Sequence, residues 1–341
     1  MSSRATPSAS LSIIASAVVI GASSYYLWKR IIKRSGSSIT VTALNIYPVK
    51  SCRELPVDVA VPTPRGFAGD RIAQVTDAKG KYCTPREKDK DKLFHVQAEV
   101  WGDDRLILRS PDVEETIEID TGTEKTFTTK SVEVLGAPSK LELLDYGDDA
   151  AQWLEKATGI PGCRLTGSGP TFNRSSVINP DQGEEIPTSD GKAPVSLADE
   201  APFLLVNLAS LKDLNKRLKA RGKKLVDVRR FRPNIVITGL KPWEEDSLKR
   251  IRINGVEFMV WQRCGRCIMT TIDRDTLERG PEPLATLSTF RERANGQRNF
   301  GVHLIPVVST IVDGSLVAVD DEVEVLEYDE DRREEWLEML G

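Results

Sequence analysis

Cys267 lies in the run Arg263-Cys264-Gly265-Arg266-Cys267-Ile268-Met269-Thr270-Thr271. A thiol beside two arginines, just past an apolar run, suits a soft metal or a reactive sulfur, because nearby cations favour the thiolate that ligates or attacks. A zinc cage is hard to assemble around it. The chain has only two histidines, His95 and His303, and a single Cys-x-x-Cys without a second pair is a weak zinc signal. A metal bound by Cys267 must therefore take most of its other ligands from a cofactor. Cys264 reads as a packing residue, and His303 as a hydrogen-bonded one.

Elsewhere, polar and charged residues interrupt strand-like runs. Lys50-Ser51 follows Ile46-Tyr47-Pro48-Val49; Arg71 sits in Gly69-Asp70-Arg71; Arg232 and Asn234 sit in Phe231-Arg232-Pro233-Asn234-Ile235-Val236; and Arg266 precedes Cys267. Taken singly, each is most simply a solvated or salt-bridged strand end. Brought together, such arginines, a lysine and small hydroxyls would bind a phosphate, arginine as a bidentate fork and lysine as a point charge. Asp199 or Asp70 is placed to pair with one of these cations.

The elements that must position these residues are mostly short strands. Strands are expected at 39–49, 57–61, 71–76, 95–100, 105–109, 132–135 and 140–144, punctuated by Gly66, Gly69, Gly80 and Gly102. This spacing predicts a curled sheet or barrel. A helix is expected over 148–158, capped by Asp148 and stopped by Gly159. Residues 173–192 read as a long polar loop. Beyond it, strands are expected at 203–206, 234–238, 249–253, 257–262, 268–271, 315–319 and 322–326. Between them, Asn207 caps a helix over 208–221, with Leu211, Leu214 and Leu218 inward and Gly222 as its stop. An acidic helix closes the chain at 329–340. The pattern is β-rich with few helices, an α+β chain rather than a βαβ series, which excludes a Rossmann sheet.

At 341 residues, with 40% hydrophobic and 29% charged residues, the chain has room for two domains with a full core. A net charge of −4 gives no reason to expect nucleic-acid binding. The five cysteines are odd in number and unevenly spaced, which points to a reducing compartment. Leu11 to Trp28 is uncharged and apolar or small, and Lys29, Arg30, Lys33 and Arg34 follow it. At about 1.5 Å per residue such a run spans about 27 Å, enough for a bilayer core. Charge placed after the run argues for an uncleaved anchor rather than a signal peptide. The positive-inside rule puts the C-terminal body in the cytosol.

As an ordered set these pieces resemble a known family. They are Tyr47-Pro48-Val49-Lys50-Ser51-Cys52, Gly69-Asp70-Arg71, Thr84-Pro85-Arg86-Glu87, Asp199 before Pro202-Phe203-Leu204-Leu205, Phe231 to Val236, Arg266-Cys267, Thr271 to Thr276 and Glu282 to Leu287. The set resembles MOSC-domain proteins with an N-terminal MOSC β-barrel domain, and among them the mitochondrial amidoxime-reducing components. The resemblance implies a MOSC N-terminal β-barrel domain at 39–135, a helix and connecting loop at 136–194, a mixed MOSC barrel at 195–328 and an acidic helix at 329–341. Before these come a tail at 1–10, the anchor at 11–28 and a linker at 29–38.

The resemblance also implies a molybdenum cofactor, a metal held by the dithiolene of a phosphate-bearing molybdopterin. Cys267 is then the protein's metal ligand and catalytic residue. Lys50, Ser51, Arg71, Asp199, Arg232, Asn234 and Arg266 match positions that hold phosphate and pterin. The implied activity is reduction of N-hydroxylated compounds with electrons from cytochrome b5 and NADH-cytochrome b5 reductase. The alternative is a cofactor carrier or sulfur-transfer protein without reductase turnover. The implied site is the mitochondrial outer membrane, although the anchor alone would equally suit the endoplasmic reticulum. Ala198 and Glu200 stand where hydroxyl residues flank the aspartate in the family, and a glutamate beside a phosphate is expected to point away. Gly265 replaces a small polar residue.

Overall fold

The computed structural model describes residues 38–102, 104–122, 127–169, 172–176, 188 and 191–340. The anchor expected at 11–28 and most of the loop expected at 173–192 lie outside the described residues. Among the described residues no helix is long and apolar enough to cross a membrane.

The large sheet has eight strands, in the order Val323–Tyr328, Leu248–Ile253, Val256–Arg266, Arg298–Pro306, Phe203–Asn207, Ile235–Thr238, Thr40–Ile46 and Leu55–Val57. It curls until its ends meet. Thr40 bridges Glu322, the Val41 amide donates to the Asp321 carbonyl at 2.9 Å, and the Val323 amide donates to the Ile39 carbonyl at 2.8 Å. Closure removes the exposed strand edges that would otherwise invite pairing with another chain. The strands Thr40–Ile46 and Leu55–Val57 thus join a sheet otherwise built from residues 203–328, and the first of them completes the barrel. Leu44, Phe203, Phe258 and Leu304 fill its inside, with Phe203 edge-to-face against both Phe67 and Phe258. Burying each such side chain contributes about 1.5–3 kcal/mol.

A second body holds a four-stranded sheet, Thr128–Val132, Leu141–Asp145, Arg164–Gly167 and Ala73–Thr76, and a three-stranded meander, Gln97–Trp101, Arg105–Ser110 and Val113–Asp120. The helix Asp148–Thr158 packs Trp153, Leu154 and Ala157 into its core, and Trp153 Nε1 donates to the Glu115 carbonyl at 2.6 Å.

Three local expectations are corrected. Asp148 does not cap its helix. Gly147 occupies the cap at φ 95°, and the Asp148 carboxylate instead accepts from Arg164 Nη1 at 2.6 Å. Residues Ile268–Thr271 form a 3-10 turn, not a strand. The Thr270 hydroxyl donates to the Cys267 carbonyl at 2.9 Å and the Thr271 hydroxyl to the Ile268 carbonyl at 2.7 Å. Threonine composition suggests a strand, but these local bonds close a turn. The residues expected to open a strand at His95 belong to the 3-10 helix Lys88–His95, and the strand begins at Gln97.

The helix Leu208–Ala220 follows expectation. The Asn207 side chain accepts from the Ala209 amide at 3.0 Å, and Leu214 and Leu218 are buried. The acidic terminal helix, Glu330–Leu340, also stands where expected.

Candidate functional site

Strand ends converge on one cleft because the first strand runs antiparallel to Ile235–Thr238, with Leu44 opposite Ile235. The chain leaving that strand therefore passes the chain entering its partner. Residues 47–50 then pair along 70–73. The Tyr47 amide donates to Asp70 Oδ1 at 2.7 Å, the Arg71 amide to the Tyr47 carbonyl at 2.8 Å, and the Lys50 amide to the Ala73 carbonyl at 2.8 Å. Ser51, Arg71 and Arg232 each sit in the left-handed region, at φ 69°, 51° and 55°. Such backbone costs on the order of 1–3 kcal/mol in a non-glycine residue and gathers at functional sites. Three of the residues singled out from the sequence carry it.

Asn234 is buried and ties these ends together. Its Oδ1 accepts from the Leu204 amide at 3.2 Å and from Arg71 Nη1 at 3.4 Å, and its Nδ2 donates to the Asn45 carbonyl at 3.2 Å. With its amide engaged by the protein, Asn234 positions others. Arg71 pairs with Asp70. Arg71 and Arg232 lie over the Tyr47 ring at 4.6 and 4.2 Å, and Arg232 Nη1 donates to the Cys52 carbonyl at 2.7 Å. Burial pushes the Tyr47 phenol up to about 12 against the pull of Arg232, so it stays neutral beneath the two guanidiniums.

Asp199 is the hub. Its Oδ1 is 2.7 Å from Lys50 Nζ and its Oδ2 is 3.0 Å from Arg86 Nη2, while Arg86 Nε is 3.4 Å from Cys267 Sγ. A continuous line of contacts thus runs from Cys267 through Arg86 and Asp199 to Lys50. Burial pushes the Asp199 carboxyl up, but Lys50 and Arg86 outweigh it and hold it well below the usual carboxylate range. The side chain keeps 38% of its surface exposed. Lys50 is 3% exposed beside it and lies over the Tyr82 ring at 4.6 Å. The Ser51 and Tyr82 hydroxyls share a hydrogen bond.

The arginine that touches Cys267 is thus not one of its sequence neighbours. Register shifts in Val256–Arg266 on both sides of Arg263 turn that side chain outward, where Nη2 meets Glu335 at 2.6 Å. Arg266 donates from Nε to the Phe300 carbonyl at 2.8 Å and from Nη1 to the Phe231 carbonyl at 3.0 Å. Its Nη2 is buried with no hydrogen-bond partner among the described residues. Of the five cysteines only Cys267 is partly exposed. Cys264 is buried in an apolar cluster with Phe231 and Phe300, and is structural.

The donor set fits an anionic, metal-bearing group that brings its own ligands. Six basic residues, Lys50, Arg71, Arg86, Arg174, Arg232 and Arg266, face three acidic ones, Asp70, Asp199 and Glu200. The orphaned Arg266 Nη2 needs an acceptor. Among the described residues no three His, Cys, Asp or Glu side chains cluster to hold a metal. Cys267 therefore offers one soft ligand and the rest of the cleft offers a phosphate seat.

Comparison with known proteins agrees with this geometry. Residues 38–161 match the MOSC N-terminal beta barrel domain and residues 192–324 match the MOSC domain. The chain is 34% identical over 258 residues to mitochondrial amidoxime reducing component 2 of Bos taurus, covering 74% of this chain and 72% of that one. The chain belongs to the MOSC-domain family. It is also 32% identical over 282 residues to the molybdenum cofactor sulfurase of Danio rerio, covering 80% of this chain. It spans only 32% of that relative's length. Mitochondrial amidoxime-reducing component 1 of Mus musculus is 33% identical over 257 residues, covering 74% of this chain and 71% of that one.

Within the MOSC cleft, Arg86, Tyr82 and Arg174 were missed as site residues. Arg86 carried a signal in Thr84-Pro85-Arg86-Glu87. Arg174 carried none: it is buried and clamps 196–199 through the carbonyls of Ser196, Ala198 and Asp199 at 2.8, 2.6 and 3.1 Å. Gly265 lies beneath Gln297, whose side chain a Cβ there would meet at 3.0 Å.

Burial pushes the Lys50 ammonium down to about 8 against the pull of Asp199. Below pH 8 Lys50 adds a charge to the anion seat, and above it that charge is lost while Asp199 stays ionised. Sulfate affinity, followed by titration calorimetry, is therefore expected to fall roughly tenfold between pH 7 and 9, the worth of one charged hydrogen bond. Lys50→Gln should bind weakly at both pH values. An equal pH slope in that variant would exclude Lys50 as its source.

Proposed function

We propose that this MOSC protein is a molybdenum-cofactor-dependent oxidoreductase that reduces N-hydroxylated compounds. The observation that carries the reading is the contact line from Cys267 through Arg86 and Asp199 to Lys50, which joins a soft ligand to a cationic anion seat. Cys267 would supply a sulfur ligand. Lys50, Ser51, Arg71, Arg232 and Arg266 would hold phosphate and pterin, with Asn234 and Asp199 fixing their directions. The cofactor, when bound, supplies the two-electron centre at which an N–O bond can be reduced. The protein's share is position and charge. Arg86 holds the sulfur of Cys267 against the cleft, and Asp199 bridges Arg86 and Lys50 and offsets their mutual repulsion. The relatives named as amidoxime reducing components support this reading.

The electron source proposed is cytochrome b5 with its NADH-dependent reductase. The apolar run at 11–28 supports a membrane anchor with the body in the cytosol, at the mitochondrial outer membrane or the endoplasmic reticulum. The similarity to a molybdenum cofactor sulfurase favours a second reading, a carrier that holds the cofactor without turnover.

Protein made in a host that synthesises the cofactor should contain molybdenum and pterin near one per chain. It should reduce benzamidoxime to benzamidine with reduced cytochrome b5. Molybdenum and pterin without turnover would favour the carrier. A folded protein with neither would end both readings.

A further inference from the structure

Glu200 makes contacts of its own, apart from the ion pairs of the anion seat. Asp70 is engaged by Arg71, and Asp199 by Lys50 and Arg86. Among the described residues Glu200 forms no ion pair with a lysine or arginine. Its Oε2 instead accepts from Gln262 Nε2 at 3.3 Å, and His303 Nδ1 lies 3.4 Å from that oxygen and 3.5 Å from Gln262 Nε2. Both of these side chains are buried, at 6% and 8% exposure, whereas the Glu200 side chain is 53% exposed. A solvated surface carboxylate needs no such backing. Two buried polar side chains beside one oxygen hold the carboxylate in place while the side chain as a whole stays half exposed.

The surroundings tie this carboxylate to the cleft. Its chain neighbour is Asp199, and the charges acting on it are those of Asp199, Arg266 and Arg86. It is fixed from the barrel wall, since Gln262 lies on Val256–Arg266 and His303 on Arg298–Pro306, opposite Leu204. An anion seat that carries one pinned acceptor beside it is asymmetric. It can hold a phosphate at one end and an N–H donor edge at the other.

We propose that Glu200 selects the substrate of this site, accepting from the N–H groups of an amidine-type N–C–N unit and disfavouring anionic substrates. This rests on the reductase reading for the reaction, but not for the binding. N-hydroxyamidines and N-hydroxyguanidines carry an NH2 group beside the N–O bond, which a carboxylate can accept from while the N–O end stays free. Nitrite and other oxyanions offer only lone pairs and charge of the wrong sign.

Benzamidine, a cation at neutral pH that has the donor edge but no N–O bond, tests this without turnover. Neutral benzamidoxime is titrated beside it in the absence of reductant, so that lost charge attraction is not read as a lost N–H contact. Protein as purified from a cofactor-producing host is titrated with benzamidine, wild type beside Glu200→Gln and Glu200→Asp. Glu200→Gln keeps the shape and an oxygen for Gln262, so it should fold. It is expected to weaken benzamidine binding roughly ten- to hundredfold, the worth of a charge-assisted pair. Glu200→Asp should recover part of that loss. Nitrate binding should move the opposite way and tighten in Glu200→Gln. No saturable benzamidine binding by wild type, or equal binding by Glu200→Gln, overturns the proposal. Turnover is read separately, as the ratio of rates on benzamidoxime and nitrite, which should fall in Glu200→Gln. If no variant reduces either compound, the reductase reading fails while the benzamidine titration still decides the role of Glu200.

Discussion

On the proposed reductase reading, Cys267→Ser is expected to fold as the wild type does and to lose N-hydroxy reduction by about a thousandfold or more, about 4 kcal/mol of barrier. Folding should survive because the side chain is partly exposed and its one side-chain partner is Arg86 at 3.4 Å, which a serine oxygen can also accept from. Activity should not survive, because a hard hydroxyl is a poor substitute for a soft sulfur on a metal in a sulfur-rich shell. Cys264→Ser is the matched contrast. It places a hydroxyl in the apolar cluster of Phe231 and Phe300, and so should lower stability by roughly 1–3 kcal/mol while keeping metal and turnover. Metal analysis, the spectrum of the reducible centre and a thermal melt, made on both variants, separate the two roles. A Cys267→Ser protein that keeps both the metal signal and the rate would remove Cys267 from the chemistry.

Much of this site was readable before any geometry, and the parts that were not share a cause. Lys50, Ser51, Arg71, Arg232 and Arg266 announced themselves because each places charge or a hydroxyl where a strand should continue. The helix at 208–220 was readable because Asn207 and the leucine spacing are local signals. The partner of Cys267 was not, since Arg86 lies 181 residues away along the chain, and nothing local says that a turn in one body meets a strand end of the other. Two adjacent arginines drew attention instead, and the register shifts at Arg263 turned one of them away. The strand Arg298–Pro306 was missed for a different reason. It is buried on both faces, so it shows no alternation. It also contains Gly301 at φ 74°, which reads as a turn but permits close approach, since a Cβ there would meet the Leu205 carbonyl at 2.6 Å. That strand supplies His303, so the missed strand hid one of the two buried side chains beside Glu200. Acidic Val113–Asp120, largely facing solvent, was overlooked because its glutamates mask the pattern of Ile117 and Ile119.

Asp199→Asn should lower stability and raise anion affinity together. The stability loss follows from Lys50, which is 3% exposed and among the described residues would lose its only carboxylate partner, and from Arg86, whose side chain would there keep only Cys267. Breaking a fully buried pair costs about 3–5 kcal/mol. Water already reaches Asp199 at 38% exposure and Arg86 at 28%, so about 2–3 kcal/mol is expected here. Lys50, already pushed down to about 8, can shed its proton to limit the loss. Anion affinity should rise because the same two cations are no longer neutralised, and added sulfate should restore the melting temperature more in the variant than in wild type. The opposing signs identify Asp199 as the counterion that keeps the seat folded until an anion arrives. A purely structural aspartate would lower stability and leave sulfate binding unmoved. An aspartate that itself holds the pterin would lower molybdenum and pterin content despite the stronger anion binding. Cofactor content, measured beside the sulfate titration, therefore decides whether Asp199 touches the cofactor or only prepares Lys50 and Arg86 for it.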